Sequence, residues 1–350
     1  IRMEYAILCN PGHNRVYFEA SLQLAQAEFS LVARKLSVPC GQAGIQMICG
    51  IPYFVFQAEK ELSVIDIRRV SELSFVYALF SLKREGQEVA LRPIQRTDER
   101  FVDESIGTIL KYTGKTNELF TRMLIHVAQL TQETGEEQNL RLLDPVAGKG
   151  TTLYEGLIRG FDVYGVEIGD KVTTEAYHFL KRFLETARYK FTCKTVRISG
   201  ENKSFSASRH TFQIARNKED LKNRNLRTAE FIAGNSVYSH LFFKKRFFHM
   251  IVGDLPYGVQ HGNVTSEKRS SLTRNPSELL EACLPAWKQV LKPGGAVVLA
   301  WNSNVLSREK LAVVLEKHGF RVLQEGPFLG FEHRVDLSIR RDIIVAIKEN

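Results

Sequence analysis

Leu142-Leu143-Asp144-Pro145-Val146-Ala147-Gly148-Lys149-Gly150-Thr151-Thr152 reads as the end of an apolar strand, a tight turn and the first turn of a helix. The two glycines permit positive φ and let the backbone come close to a ligand. The helix start offers unpaired N–H groups to an anionic ligand group. Before this stretch, 117–130 predicts a helix and 140–143 a first strand. After it, 163–166, 229–232, 248–252 and 296–301 predict four more strands. A helix over 276–291 stops at Pro293-Gly294-Gly295, and one over 308–318 stops at Gly319. Segments 321–324 and 342–347 are expected to close the unit as a hairpin with an intervening bend. Strands alternating with helices across 110–350 imply a parallel sheet covered on both faces, a Rossmann-like seven-stranded α/β domain.

Residues 1–95 have a different rhythm. Segment 5–9 reads as a strand and 19–36 as a helix with Leu22, Ala25, Phe29, Val32 and Leu36 on one side. Two strands follow over 45–51 and 53–57, then a helix over 65–80 and a strand over 88–93. The order β-α-β-β-α-β predicts a small ferredoxin-like α+β domain, and the polar stretch 96–109 reads as a linker.

Three ligand classes use a turn like that at Asp144. A P-loop requires Ser or Thr directly after Gly-Lys, and Gly150 follows Lys149. A dinucleotide fingerprint requires a third glycine, where this chain has Leu153. The form Asp-x-x-x-Gly-x-Gly of S-adenosylmethionine (SAM) sites is met by Asp144, Gly148 and Gly150, with Pro145, Ala147 and Thr151 in the same turn. Glu167, followed by Ile168, stands at the end of the second strand, where an acidic residue would hold ribose hydroxyls.

A second motif, Gly253-Asp254-Leu255-Pro256-Tyr257-Gly258, ends the fourth strand, and here the chain resembles the amino-methyltransferases of nucleic acids, whose motif is Asp/Asn/Ser-Pro-Pro-aromatic. An exocyclic base amine is a poor nucleophile because its lone pair is delocalised into the ring. An acceptor such as the Asp254 carboxylate, with a main-chain carbonyl at Leu255 or Pro256, can hold the N–H groups and redirect that lone pair. Tyr257 offers a flat face for base stacking, worth roughly 1–3 kcal/mol. Reaction by a cationic methyl donor depends on positioning and electrostatics more than on strong base catalysis. The candidate catalytic set is therefore Asp254, Leu255, Pro256 and Tyr257, with Asp254 counted among the cofactor-binding residues as well.

The second half of the chain resembles the THUMP-related tRNA guanosine-N2 methyltransferases, in which Asp-Pro-Pro-Tyr-Gly takes the place of Asp254 to Gly258. The resemblance implies SAM as cofactor and an RNA base as substrate, most directly guanosine N2 in tRNA. It places Thr116 and Asn117 at the methionine end of SAM and Asn235 and Ser236 at its adenine. It departs at Leu255, which replaces the first proline, and at the N-terminus, where 1–95 leaves no room for a full THUMP domain.

Charge points the same way. The 350 residues carry a net charge of +9, with 44% hydrophobic and 25% charged residues. From Lys181 to Arg227 there are 13 basic against 4 acidic residues, and the rest of the chain balances. A basic insertion over about 188–228, with a ribbon over 190–198 and 211–215, suits a polyanionic partner such as tRNA or rRNA, and inserts of this length are usually functional or disordered. The loop 260–276, with His261, Lys268, Arg269 and Arg274, is expected to hold the target nucleotide. Five scattered cysteines without a C-x-x-C pair argue against a disulfide framework or zinc site. His126, His249 and His333 read as structural, so no metal is expected. No apolar run reaches the ~20 residues of a membrane span, and no signal-peptide pattern opens the chain, so the cytoplasm is the expected compartment. Ile1 and Arg2, ahead of Met3, read as an added remnant. A protein partner stays open. So do a DNA adenine-N6 methyltransferase, a protein or small-molecule amine methyltransferase, and a non-catalytic SAM- and RNA-binding subunit. A base-carbon methyltransferase would need a cysteine nucleophile, and Pro39-Cys40 lies ahead of the glycine turn.

Overall fold

A computed structural model describes residues 2–135, 139–256 and 275–350, which form two compact units. The first contains the chain up to Asp98 together with Gln324–Asp342, and the second contains Glu99–Leu323 and Ile343–Asn350.

The first unit begins with β1 (Met3–Cys9), α1 (Arg15–Ala33), β2 (Cys40–Ile48) and β3 (Ile51–Ala58), followed by α2 (Val64–Ser71), β4 (Val76–Glu85) and β5 (Glu88–Ile94). Asn14 caps α1 by accepting from the Tyr17 amide, and Ser63 with Asp66 forms a reciprocal capping box on α2. The sheet order is β2-β3-β1-β4-β5, antiparallel at every step. Placing β3 between β1 and β2 is the split β-α-β arrangement of ferredoxin-like units, here extended by an edge strand. The helix expected over 65–80 stops at Ser71, and its second half is β4. The Ser74 amide donates to the fully buried Glu28 carboxylate at 2.9 Å, which turns the chain out of the helix. The following Val-Tyr-Ala-Leu-Phe run suits a strand, and pairing on both edges outweighs helical spacing. Phe29 packs on Phe54 and Phe56, with ring centroids 5.0 and 4.7 Å apart. Gln324–Asp342 is more than the expected bend. Phe328 lies under the Arg34 guanidinium at 5.9 Å, and His333 meets the Tyr17 ring edge-on at 6.4 Å, so this excursion packs on α1.

The second unit comprises α3 (Ser105–Ile109), α4 (Glu118–Thr131), β6 (Arg141–Asp144), α5 (Thr151–Ile158), β7 (Asp162–Glu167) and α6 (Asp170–Thr186), then β8 (Lys190–Ser199), β9 (Ser206–Ala215), β10 (Arg227–Ala233), β11 (Phe248–Asp254), β12 (Leu291–Asn302) and β13 (Phe320–Val322). The strand Arg340–Lys348 pairs antiparallel with β13. Across the sheet the order is β13, Arg340–Lys348, β12, β11, β6, β7, β10, β9, β8. The first seven of these positions form the Rossmann-like seven-stranded α/β sheet, parallel from β12 through β11, β6 and β7 to β10. The remaining two are the inserted ribbon, which joins the β10 edge antiparallel.

Both faces of this sheet are buried, which is why its strands read as continuous apolar runs rather than alternating ones. Leu143, Val166, Ile232, Ile251, Val297 and Leu299 form one cluster with Leu280, Leu284 and Trp287 of the helix Pro276–Val290. Side chains one residue along each strand face the other way, toward α4, α5 and α6, which pack on β11 and β12, on β7 and on β10. Phe101 and Val102, in the polar stretch before α3, are buried, and the Phe101 amide bonds to the Ile158 carbonyl at 2.8 Å.

Candidate active site

The carboxyl ends of β6, β7, β10 and β11 form one rim, the place where open α/β sheets bind ligands. Asp144 ends β6, is 3% exposed, and accepts from the Val146 amide at 3.0 Å. Burial pushes its carboxyl up to about 7. Hydrogen bonds from the Thr152 side chain and the Val146 amide oppose the shift, and the nearby charges of Asp254 and Glu167 add to it. Pro145 and Ala147 are buried in the turn. Gly148 and Gly150 have φ of 52° and 93°, and Gly150 N-caps α5 just ahead of the buried Thr151. Among the described residues no heavy atom lies within 4 Å of where a Gly148 Cβ would stand. The turn therefore exposes bare backbone to open space at the rim.

Glu167 locks this turn to β7. Its two carboxylate oxygens accept from the Gly148 amide at 3.0 Å and the Gly169 amide at 2.9 Å. A carboxylate has about four acceptor positions, so two remain for a diol. Ile168 beside it is half exposed. The Glu167 carbonyl accepts from the Gly234 amide at 2.9 Å, which brings Asn235 and Ser236 to the same rim. The Asn235 carbonyl oxygen caps the next turn by accepting from Val237 at 3.1 Å, leaving its NH₂ as the side chain's donor. Ser236 accepts from the Trp287 indole at 2.9 Å.

At β11, the Asp254 carboxylate accepts from the Thr116 hydroxyl at 2.7 Å. Asn117 is occupied in capping α4, where it accepts from the Leu119 and Phe120 amides. The Leu255 amide donates to the Ala300 carbonyl at 2.8 Å, and its side chain is 1% exposed. A proline there would lack this bond, so Leu255 fixes the turn by pairing and packing instead of by a ring. Pro256 follows it, half-buried. Tyr257 and most of the loop 260–276, including His261, Lys268, Arg269 and Arg274, lie outside the described residues.

Tyr112 belongs to the site although its sequence setting gave no sign of it. Its hydroxyl lies 3.2 Å from Thr151 Oγ1, and the Lys149 ammonium sits 4.9 Å from its ring centre while pairing with Glu175 at 3.0 Å. With Thr116 on Asp254, the segment carrying Tyr112 and Thr116 ties the glycine turn to the β11 motif. A lone tyrosine in a polar stretch has no periodicity to mark it.

His126 and His249 are buried in this unit and His333 in the first, at separate positions. Among the described residues no group of three or more His, Cys, Asp or Glu side chains is placed to hold a metal ion, and no helix is long and apolar enough to cross a membrane.

No protein-family model matches the chain, and no curated protein matches it. Solved structures similar to it include TrmN from Thermus thermophilus, which aligns over 99% of this chain and 99% of its own at 13% identity and a TM-score of 0.43. Magnesium protoporphyrin IX methyltransferase (ChlM) from Synechocystis PCC 6803, with bound SAM, aligns over 68% of this chain and 87% of its own at 15% identity and a TM-score of 0.37. The TehB-like SAM-dependent methyltransferase from Corynebacterium glutamicum covers 61% of this chain and 83% of its own, with 15% identity and a TM-score of 0.33. The fold is defined here by strand order and register rather than by these likenesses.

Proposed function

We propose that this chain is a SAM-dependent methyltransferase acting on an exocyclic amino group of a base in RNA, with guanosine N2 in tRNA as the foremost target. The observation that carries this reading is the joining of two half-sites at one rim. The bare glycine turn held by Glu167 and the Asp254 carboxylate are bridged by the segment Tyr112–Thr116.

The residues fit the cofactor. Gly148 leaves room for backbone approach, Glu167 has acceptor capacity for two ribose hydroxyls, and the Asn235 NH₂ can donate to an adenine nitrogen. When bound, SAM supplies an electrophilic methyl on a sulfonium cation. Burial raises the Asp144 pKa and the nearby charges of Asp254 and Glu167 add to it, and such a cluster of carboxylates favours a cationic ligand. Asp254 accepts an N–H of the target amine and is placed to take the proton released on transfer. The main-chain carbonyl at Leu255 or Pro256 is the second acceptor, and Tyr257 is assigned the stacking face. Thr116 holds the Asp254 carboxylate in one orientation.

The test is incubation with labelled SAM and separate pools of unmodified tRNA, ribosomal RNA and DNA, followed by digestion to nucleosides. N2-methylguanosine from tRNA is the expected product. N6-methyladenine in DNA would replace the substrate assignment. SAM binding without transfer to any pool would favour a non-catalytic subunit.

A further inference from the structure

We infer that the outer edge of the β8–β9 ribbon is a nucleic-acid backbone surface that leads RNA to the rim, an inference that rests on the reading of the substrate as RNA. Among the 13 basic residues between Lys181 and Arg227, two sets contrast. Three are tied to the fold. Arg209 pairs with Glu230 at 3.2 Å, Arg216 pairs with Asp220 at 2.6 Å, and the Arg227 guanidinium is bonded to the Leu226 carbonyl and Asn225 while stacking on the Phe101 ring. Lys190, Lys194, Arg197 and Lys203 are exposed on β8 and its turn, with no acidic partner among the described residues.

Register fixes where these four stand. Glu167 is opposite Ala233, Ala233 is opposite Ser208, and Ser208 is opposite Arg197. Arg197 is thus level with the ribose-holding position, three strands away, or about 14 Å at ~4.8 Å per strand. Lys203 lies in the turn beyond it, on the rim side. Lys194 and Lys190 continue down the edge strand, so Lys190 to Arg197 span about 23 Å at ~3.3 Å per residue. Phe205, next to that turn, stacks on Tyr238 at 5.1 Å, which fixes the tip against the segment carrying Asn235. Exposed cations along the free edge of the sheet, Lys190 and Lys194 on one face of β8 and Arg197 on the other, end at the ligand rim and suit a phosphate backbone that follows the edge into the site. Lysines also guard free strand edges against pairing with another chain, so the experiment must separate the two roles.

The triple variant Lys190→Glu/Lys194→Glu/Arg197→Glu is compared with the wild type and with Lys310→Glu, a charge-reversal control on the helix Arg308–Lys317, which packs on β13 at the opposite end of the sheet. Fluorescence anisotropy with unmodified tRNA is followed across salt concentration, with SAM binding as the check on folding. The triple variant should bind RNA roughly tenfold or more weaker at physiological salt. Its log–log salt slope should be about 2 smaller, from loss of three contacts at ~0.7 each. The control should keep the wild-type slope and SAM binding should be unchanged in both. An unchanged slope overturns the inference, as does an equal loss in the control. So does a variant that keeps RNA affinity and becomes dimeric, which would make the lysines edge guards. Because binding is read without methyl transfer, failure of the ribbon and failure of the proposed reaction give different patterns.

Discussion

Asp66 in the first unit and Asp144 in the second are both withdrawn from solvent, at 0% and 3% exposure, yet they lie on opposite sides of the ordinary carboxylate range. Burial works against the charge on Asp66, but Ser37 and Ser63 each donate an amide and a hydroxyl to it, and these four bonds bring its pKa down to about 2. At Asp144 burial dominates, and the charges of Asp254 and Glu167 reinforce it, so the pKa rises to about 7. A carboxylate that serves the fold is surrounded by donors. One at the rim is left short of them beside two other carboxylates, an arrangement that a cationic ligand would relieve. The first unit uses this buried carboxylate for stability, and the second keeps electrostatic tension at the rim proposed to bind the cofactor.

The largest effect should come from removing Asp254, the rim carboxylate proposed to hold the target amine. Asp254→Ala should lower single-turnover methyl transfer by about a thousandfold, the scale of losing a group aimed at the reacting atoms, while SAM affinity falls only a few-fold, from loss of one rim charge, and thermal stability stays near wild type. Near-normal transfer would take Asp254 out of the chemistry. The opposite pattern is expected from Asp66→Ala, which strands the donors of Ser37 and Ser63 around an empty position. That variant should lose about 3–5 kcal/mol of stability by denaturant unfolding, with SAM binding to the folded protein unchanged. The wild-type contribution of Asp66 also has a definite pH window. Its folded pKa lies below the unfolded value of about 3.9, so the stabilisation is present above pH 4 and is lost as pH falls from 4 toward 2.

These contrasts were only partly legible in the sequence. The glycine turn and the Asp254 motif stand out in the sequence because each sets particular residue types at fixed spacing at the end of a strand. Continuous apolar runs likewise announce a sheet covered on both faces. What the sequence hid was long-range pairing. β4 reads as helix because its fate is decided by β1 and β5 on either side, and Gln324–Asp342 reads as a bend because its partners, Tyr17 and Arg34, lie some 300 residues earlier. Tyr112 escaped for the same reason, since its contact with Thr151 exists only after folding. Leu255 stands where the resemblance expects proline, and its bond to Ala300 shows another way of fixing the turn.

Asp144 allows a sharper measurement of the rim's tension. Its folded pKa lies above the unfolded value, so the native state keeps a proton that the unfolded chain releases. Its contribution is therefore fully favourable below pH 4 and is lost as pH rises to 7. Asparagine mimics the protonated form and can still accept from Val146. Asp144→Asn should thus match the wild type near pH 4 and exceed it on the order of 2–3 kcal/mol at pH 8. Unfolding curves at the two pH values read this directly, and equal differences at both would mean that Asp144 carries no excess proton in the fold.

The smallest effect expected is also the most diagnostic of how the two half-sites are coupled. Thr116 makes its 2.7 Å bond to Asp254 from the segment that also carries Tyr112 on the glycine turn. Thr116→Val keeps the shape and removes the donor, so Asp254 stays in place with its orientation less restricted. The rate constant for transfer should fall about tenfold, equivalent to ~1.4 kcal/mol, with the KM for RNA and the Kd for SAM nearly unchanged. Thr116→Ser restores the hydroxyl and should recover most of the rate. A purely structural threonine would instead lower thermal stability and raise both binding constants, and serine, which lacks the methyl, would not rescue it. Loss of rate at constant binding with recovery by serine would assign Thr116 to positioning the carboxylate. Loss of SAM affinity in the valine variant would move it to the cofactor half of the rim.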